Sequence, residues 1–196
     1  LDTDQKTIVH IPNVNAGEST KKKYEEVDRI LSIIGTVETQ DEVTGVLNVK
    51  RADGKVVKVA DLVHDDPKAR DNIVAYLREM NDVDDIDVII ALGMAKEGFD
   101  WPFCEHALTV GYRGSLTEII QIIGRCTRDS SNKTHSQFTN LIAQPDAEND
   151  QVKLSVNNML KAITASLLME QVLAPNFKFK TKQFDGEEAE AGTIKI

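Results

Sequence analysis

Hydrophobic residues near the start of the chain change their spacing, and each spacing predicts a different element. Residues 6–11 (KTIVHI) form a short run rich in β-branched side chains that stops at Pro12, which is typical of a buried strand. Over residues 18–34 apolar side chains recur at three- and four-residue intervals, which predicts a helix that ends at Gly35. The chain is therefore predicted to open with a strand followed by a helix.

Residues 41–63 follow a different pattern, with two apolar runs around the polar turn Ala52-Asp53-Gly54. This pattern predicts a hairpin, or one extended strand that carries an insertion. A second helix is predicted over residues 67–80, because Asp65-Asp66-Pro67 places capping side chains and a first-turn proline directly at its start.

The second half of the chain alternates between apolar runs and helical patterns. The run at residues 87–92 is almost continuously apolar, which is typical of a central parallel strand covered on both faces. Alternation of strands and helices predicts an α/β domain with a mainly parallel sheet. The remaining predicted elements are a loop over 93–102, a strand over 107–111, a helix over 115–128, a strand over 137–143 and a long helix over 152–173.

Composition narrows the organisation of the chain. It has 196 residues, of which 41% are hydrophobic, so it can form a packed core and extensive disorder is not expected. We expect three parts: a domain over residues 1–145, a helical extension over 146–180 and a disordered acidic tail over 181–196. Because the first residue is Leu1, we expect a fragment of a longer protein.

Charge, hydropathy and cysteine usage exclude several classes of protein. The net charge of −9 argues against a domain that holds nucleic acid by bulk electrostatics, but it leaves room for a local cationic site. No apolar run is long enough to cross a membrane, and no stretch resembles a signal segment. Cys104 and Cys126 lack metal-ligand spacing, so we expect no metal site and a reduced, cytoplasmic location.

The predicted helix over residues 115–128 (SLTEIIQIIGRCTR) carries the most specific polar pattern in the chain. Gln121, Arg125 and Arg128 are spaced so that they can share one helical face, opposite a row of isoleucines. Gly124 allows another backbone or a phosphate to come close, and guanidinium groups bind phosphate through paired hydrogen bonds. The alternative is an ordinary amphipathic helix whose arginines are solvated or paired with carboxylates.

The loop over residues 93–102 is a second candidate, because ligands of open α/β sheets bind beyond the carboxyl ends of the strands. Gly98 lets the backbone approach a ligand, and the Asp100 carboxylate suits a pair of ribose hydroxyls. The alternative for Asp100 is a turn or cap residue. Trp101 is expected to lie in the core or in the wall of a cleft, and the alternative is a platform on which a base stacks. Together this loop and the arginine helix could hold a nucleotide by its sugar and its terminal phosphates.

Two stretches of this sequence resemble motifs V and VI of superfamily 2 helicases. The stretch QIIGRCTR matches the Q-x-x-G-R-x-x-R pattern of motif VI at Gln121, Gly124, Arg125 and Arg128. The stretch IALGMAKEGFDWP matches the glycine-any-aspartate core of motif V at Gly98 and Asp100. The glutamine of motif VI and the residues EGFD of motif V are closer to the type III restriction and DEAD/DEAH-like branch than to DEAD-box RNA helicases. The resemblance covers roughly residues 6–143.

The resemblance implies a second RecA-like domain, with a mainly parallel sheet of the P-loop NTPase type flanked by helices. Such a domain closes over ATP and Mg²⁺ held mainly by a first RecA-like domain of the same chain. The resemblance implies that Arg128 is the arginine finger on the transferring γ-phosphoryl group, with Arg125 as a second phosphate contact or a brace. Gln121 would position the phosphate or the attacking water, Asp100 would contact the ribose, and Gly98 would line the cleft.

The resemblance also implies nucleic acid as a partner, with DNA favoured over RNA. Many relatives carry Thr or Ser at the position of Leu92 and Arg at the position of Glu97. Lys96 is the candidate replacement for the contact to a nucleic-acid phosphate, or else a solvated lysine. Three functions stay open: half of a helicase motor, a restriction- or defence-type translocase on duplex DNA, and a RecA-like interaction module without motor function. The first-domain signatures G-x-x-x-x-G-K-[ST] and D-E-x-[DH] are missing, so we expect that this chain alone does not hydrolyse ATP.

Overall fold

Strands with β-branched runs and helices with three- and four-residue apolar spacing alternate along the chain, as the residue pattern predicts. The computed structural model describes residues 4–12, 22–92, 99–111, 116–141, 149–173, 178–180 and 193–195. The strands are β1 (Thr7–Ile11), β2 (Thr36–Gln40), β3 (Leu47–Lys50), β4 (Val56–Asp61), β5 (Val88–Leu92), β6 (His106–Val110), β7 (Gln137–Leu141), β8 (Lys178–Lys180) and β9 (Thr193–Lys195). The helices are α1 (Lys23–Ile34), α2 (Pro67–Glu79), α3 (Leu116–Cys126) and α4 (Asn149–Leu173).

The first seven strands form one sheet in the order β2-β3-β4-β5-β1-β6-β7. From β4 to β7 all neighbouring strands are parallel, whereas β2, β3 and β4 pair in antiparallel fashion. β8 and β9 form a separate two-stranded parallel sheet. A mostly parallel sheet with flanking helices confirms the predicted α/β class and is the layout expected of a RecA-like domain.

The core lies on both faces of the seven-stranded sheet. On one face, Val9 and Ile11 of β1 belong to the same buried cluster as Val27, Leu31 and Ile34 of α1. On the other face, β1 and β5 pack against α2, α3 and the segment that precedes β6. Helix α4 packs on α3. The two segments that carry the candidate site residues are therefore anchored in the central core.

The hairpin predicted over residues 41–63 is confirmed as β3 and β4, joined by a turn in which the Arg51 N–H donates to the Lys55 carbonyl at 2.9 Å. β4 also continues the parallel sheet beside β5, so the hairpin is part of the main sheet. The sequence did not predict β2, because all of its side chains are exposed and no apolar alternation marks it. A Cβ at Gly35 would lie 2.1 Å from the Lys50 carbonyl oxygen, so only glycine lets the end of α1 pass this close to β3.

Helix α2 starts as predicted, since the Asp66 carboxylate accepts a hydrogen bond from the Lys68 N–H at 3.0 Å and Pro67 occupies the first turn. Helix α1 begins at Lys23. Of the predicted helical residues before it, Lys22 is described, whereas residues 18–21 lie outside the described residues. The residues around position 145 and most of the predicted tail also lie outside the described ranges. The division of the chain into three parts therefore stays a prediction.

Candidate nucleotide site

The segment that precedes β6 carries Asp100 between two buried aromatic residues. Phe99 and Trp101 lie in the core, with 6% and 4% of their surface exposed, and this confirms the prediction for Trp101. Their burial anchors the main chain on either side of Asp100. The Asp100 side chain itself faces solvent and is 61% exposed.

Helix α3 is amphipathic in the predicted manner. Ile119, Ile122 and Ile123 are buried, while Gln121 and Gly124 are exposed. A Cβ at Gly124 would meet nothing within 4 Å, so this position is open to an approaching group. One side of the helix is thus used for packing and the other side stays accessible.

Arg128 lies beyond the end of α3, so the prediction that it shares a helical face with the other two polar residues is wrong. The helix ends at Cys126, whose carbonyl oxygen accepts hydrogen bonds from Lys133 Nζ at 3.1 Å and from the Ser136 hydroxyl. These side chains supply donors to the last turn, where carbonyl groups have no partner within the helix. The chain leaves the helix there.

The structure nevertheless brings Arg128 to Asp100, which lies on the other predicted segment. Arg128 Nη1 forms an ion pair with Asp100 Oδ2, and 54% of the arginine side chain and 61% of the aspartate side chain are exposed. An exposed pair contributes about 0.2–1 kcal/mol, because water screens the charges and both side chains lose freedom. The two groups are therefore held together weakly and remain accessible to a ligand.

Arg125 lies beside the same segment. Its Nη1 donates to the Phe99 carbonyl oxygen at 3.4 Å, and its guanidinium carbon lies 5.3 Å from the centre of the Phe99 ring. A cation over an aromatic face is attracted by the charge distribution of the ring. Arg125 is half-buried and braces the main chain next to Asp100.

The pair of Arg128 and Asp100 lies near the amino ends of β6 and β7, so the prediction of a site at the carboxyl ends of the strands is wrong for this pair. Residues 99–105 lead into the start of β6, and α3 leads from the end of β6 back toward the start of the parallel strand β7. Ser136, which bonds the last residue of α3, directly precedes β7. Arg128 and Asp100 therefore meet at the edge of the sheet where β6 and β7 begin.

Three predicted residues of the loop, Lys96, Glu97 and Gly98, lie outside the described residues, so their contacts stay predictions. Leu92 is the last residue of β5 and is half-buried. The role predicted for Gln121 also stays a prediction, since only its position on the exposed side of α3 is described.

The loop after α3 supplies contacts that the sequence did not single out. Lys133 Nζ lies 3.0 Å from the Cys104 carbonyl oxygen, and Asn132 Nδ2 lies 3.1 Å from the Phe103 carbonyl oxygen. These bonds tie the end of α3 to the segment that carries Asp100. Their acceptors are backbone carbonyls far away in the sequence, so no side-chain pattern identifies them. The only available signal was a lysine and an asparagine soon after a helix end.

Two buried thiols belong to the same region. Cys104 and Cys126 are each 1% exposed. Burial raises the pKa of Cys104 to about 12 and also raises the pKa of Cys126 above its usual range. Both thiols are therefore protonated and unreactive at neutral pH.

The described ranges contain neither a cluster of metal ligands nor a membrane-spanning helix. No group of three or more His, Cys, Asp or Glu side chains there could hold a metal ion. No helix in the same ranges combines the length and the apolar character needed to cross a membrane.

A separate cavity of about 260 Å³ lies between α1, α2 and the antiparallel strands. Its lining includes Asp28, Asp61 and His64, and burial raises the pKa of Asp61 above its ordinary value. None of the predicted site residues lines this cavity. It is therefore not part of the candidate nucleotide site.

Comparison with known proteins agrees with the motifs. Residues 18–130 match the family model described as helicase conserved C-terminal domain. The chain is 69% identical over 190 residues to a protein of Bacillus subtilis (strain 168) named "Putative ATP-dependent helicase YeeB". That match covers 96% of this chain and 32% of the relative, so the chain spans about a third of the relative's length.

A solved structure of the "ATP-dependent Type ISP restriction-modification enzyme LlaBIII bound to DNA" is similar in fold to this chain. The TM-score is 0.50 and the sequence identity is 13%, over 83% of this chain and 10% of that chain. At this level of identity the likeness concerns the fold alone.

Proposed function

Since the chain belongs to the family of helicase conserved C-terminal domains, we propose that it is the second motor domain of an ATP-dependent nucleic-acid helicase or translocase. It completes an ATP site that a first RecA-like domain builds, and that first domain holds most of the ATP and its Mg²⁺. The observation that carries this proposal is the meeting of Arg128 and Asp100 on an exposed surface, from two separate segments. Gly98 and Gly124 let the nucleotide approach the backbone.

Each polar side chain has a proposed part in hydrolysis. Arg128 stabilises negative charge on the γ-phosphoryl group, as an arginine supplied across a cleft does. Asp100 accepts hydrogen bonds from the ribose hydroxyls. Arg125 holds the main chain beside Asp100, and Gln121 positions the phosphate or the attacking water.

The ion pair constrains how these roles are filled. In ATP the ribose and the γ-phosphate lie at opposite ends of the triphosphate, so Arg128 and Asp100 cannot contact both groups while they contact each other. ATP binding must therefore separate the pair. An exposed pair is worth only about 0.2–1 kcal/mol, so the separation costs little. We propose the paired arrangement as the nucleotide-free state.

DNA is the proposed nucleic-acid partner. Closure of the two domains on ATP, followed by opening after hydrolysis, would move the DNA across their surface. With a net charge of −9, this chain would contact phosphates through a local site rather than through a broad basic surface. The preference for DNA follows the resemblance of motifs V and VI to the type III restriction branch.

Translocation on duplex DNA without strand separation is the second candidate function. The residues EGFD in motif V and Gln121 in motif VI favour this second candidate, because both features resemble the type III restriction branch. Displacement of a third strand from a triplex would report translocation, whereas release of one strand from a duplex would report unwinding. Triplex displacement without duplex unwinding would favour the second candidate.

The proposed function is tested by ATP hydrolysis in the longer protein that carries this chain, with and without duplex DNA. We expect Arg128→Ala to lower kcat about 10³-fold, at the lower end of the roughly 10³–10⁵-fold effect of an arginine finger. The Kd for ATP should change by less than about threefold, because the first domain supplies most of the binding. The chain alone should show no turnover.

The matched control is Arg29→Ala, which removes an exposed arginine of α1 that is not part of the candidate site. Its kcat should equal that of the wild-type protein. Unchanged turnover in the Arg128→Ala variant would remove the finger role.

A further inference from the structure

A lysine next to the candidate site joins the two segments that carry its charged residues. Lys133 Nζ donates to the Cys104 carbonyl oxygen at 3.0 Å and to the Cys126 carbonyl oxygen at 3.1 Å. Cys104 stands four residues after Asp100, and Cys126 stands two residues before Arg128. We propose that Lys133 is a positioning residue, which fixes Arg128 relative to Asp100 for the proposed ATP hydrolysis on which this inference rests.

The chemistry of the contact explains why a lysine suits this position. The last carbonyl groups of a helix have no donor within the helix and carry partial negative charge. An ammonium group has three donors, so one side chain can serve both carbonyl oxygens. A hydrogen bond from a charged donor is stronger than one between neutral groups, and Lys133 is half-buried. Lys133 therefore fixes the main chain without engaging the Asp100 carboxylate.

Neighbouring contacts join the same two segments. Asn132 Nδ2 donates to the Phe103 carbonyl oxygen at 3.1 Å, and Arg125 Nη1 donates to the Phe99 carbonyl oxygen at 3.4 Å. The segment that carries Asp100 is thus held at three carbonyl groups by side chains from α3 and the loop after it. Among these contacts, Lys133 alone bonds both the segment and the end of the helix.

Rigid placement matters because an arginine finger acts only when its guanidinium reaches the γ-phosphoryl group in the right geometry. A misplacement of about 1 Å can lower a rate roughly 10²-fold. Loss of the Lys133 bonds would free the end of α3 relative to the segment with Asp100. The expected defect therefore lies in turnover and not in binding of ATP.

The competing explanation is that Lys133 only caps a helix and stabilises the fold. The matched control for it is Lys58, whose Nζ also donates to a backbone carbonyl oxygen, that of Asp84, at 2.8 Å. Lys58 lies on β4, which is separated from β6 in the sheet by β5 and β1. Lys58→Met therefore removes a bond of the same kind far from Arg128.

The experiment measures steady-state ATP hydrolysis and thermal unfolding of the longer protein. Lys133→Met keeps an unbranched side chain only one atom shorter, but removes all its donors. We expect it to lower kcat about 10- to 100-fold, with the KM for ATP within about twofold of wild type. Lys58→Met removes one exposed bond where Lys133→Met removes two half-buried ones, so it should leave kcat unchanged and lower Tm by less. Lys133→Arg, which keeps a charged donor group, should recover most of the lost turnover.

A double-mutant comparison separates positioning from stability. In an Arg128→Ala background, Lys133→Met should lower kcat by less than about twofold further, because residues that act as one unit are not additive. A purely structural lysine would lower kcat by the same factor in both backgrounds. If the methionine variant does not fold, Lys133→Gln, which keeps only a shorter and uncharged donor, should lower kcat in the same direction by a smaller factor.

Two outcomes would overturn the positioning role and leave the finger role intact: normal kcat in Lys133→Met, or an equal loss of kcat with and without Arg128. Unchanged turnover in Arg128→Ala alone would instead remove the finger role, and this inference with it.

Discussion

Two groups of charged residues lie near the amino ends of the strands, and they are built in opposite ways. In the closed cluster, Lys6 Nζ lies 2.7 Å from Asp87 Oδ1, and only 11% and 17% of these side chains are exposed. Asp87 also accepts a hydrogen bond from the Lys58 N–H at 2.8 Å. In the open pair, Arg128 and Asp100 are 54% and 61% exposed. The hydrogen-bonding groups of the closed cluster are bonded within the protein, whereas the donors and acceptors of the open pair stay accessible to a ligand.

The difference teaches that charge alone does not identify a site on this acidic domain. In the closed cluster, the charged side chains bond to each other and to a backbone N–H group, as is typical of a contact that stabilises the fold. The segments beneath the open pair are instead held through backbone carbonyl groups, by Arg125, Asn132 and Lys133. Because these three side chains donate to neutral carbonyl groups, the carboxylate and the guanidinium of the open pair can bind each other or a ligand.

The largest effect in this comparison is expected from breaking the closed cluster. Lys6→Met leaves the Asp87 carboxylate largely buried without its cation, and removal of one partner from a buried pair costs about 3–5 kcal/mol. Because both side chains keep some exposure, we expect a loss of about 2–3 kcal/mol in the free energy of unfolding, measured by urea denaturation. The control is Lys50→Met, which breaks an exposed pair with Glu38 and should cost less than about 0.5 kcal/mol. Equal losses in the two variants would end the distinction between closed and open.

An intermediate effect is expected from breaking the open pair. Asp100→Asn should change the free energy of unfolding by less than about 0.5 kcal/mol, because the pair is exposed. It should raise the KM for ATP about tenfold in the longer protein, since a charge-assisted hydrogen bond to the ribose is lost. The control is Asp129→Asn, a change at a nearby exposed carboxylate.

A modified nucleotide sharpens the same test. Wild-type protein should discriminate against 2′-deoxy-ATP, and Asp100→Asn should lose that discrimination. If the variant raised the KM equally for both nucleotides, the ribose contact would be wrong, even if turnover still depended on Arg128.

The smallest effect concerns Asp4, which pairs with Lys55 at 2.7 Å and with Arg51 at 3.0 Å. The hydrogen bond from Lys55 is the main reason that the pKa of Asp4 lies below its ordinary value. A carboxyl group whose folded-state pKa is lowered stabilises the fold above its unfolded pKa, and this contribution is lost as the pH falls through the folded pKa. Asp4→Asn should therefore lower Tm by less than about 2 °C at neutral pH and by a smaller amount at about pH 3. An equal loss at both pH values would show that the ionised carboxylate is not the source.

The central strands and α2 were predictable because local rules determine them. Burial on both faces of the sheet requires the apolar run at residues 87–92, and Asp66 with Pro67 marks a helix start by local capping. β2 could not be predicted, because backbone pairing with β3 holds it while its side chains stay in solvent. A strand that buries no side chains leaves no hydrophobic period in the sequence.

The residues of the candidate site were predictable from their types and spacing, but their arrangement was not. The exit of Arg128 from the helix depends on donors that reach Cys126 from positions 133 and 136. The bond from Lys133 to Cys104 spans 29 positions. Spacing within one helix cannot encode contacts of this kind, so the position of the pair at the amino ends of the strands required the fold.

The two protonated, solvent-shielded thiols make this domain convenient for site-directed labelling. A maleimide dye reacts with thiolates, so Cys104 and Cys126 would stay unmodified at neutral pH while an added surface cysteine is labelled. Neither native cysteine in this chain would have to be replaced first. A fluorophore beside the open pair could then test whether the longer protein closes and opens during ATP hydrolysis, as proposed.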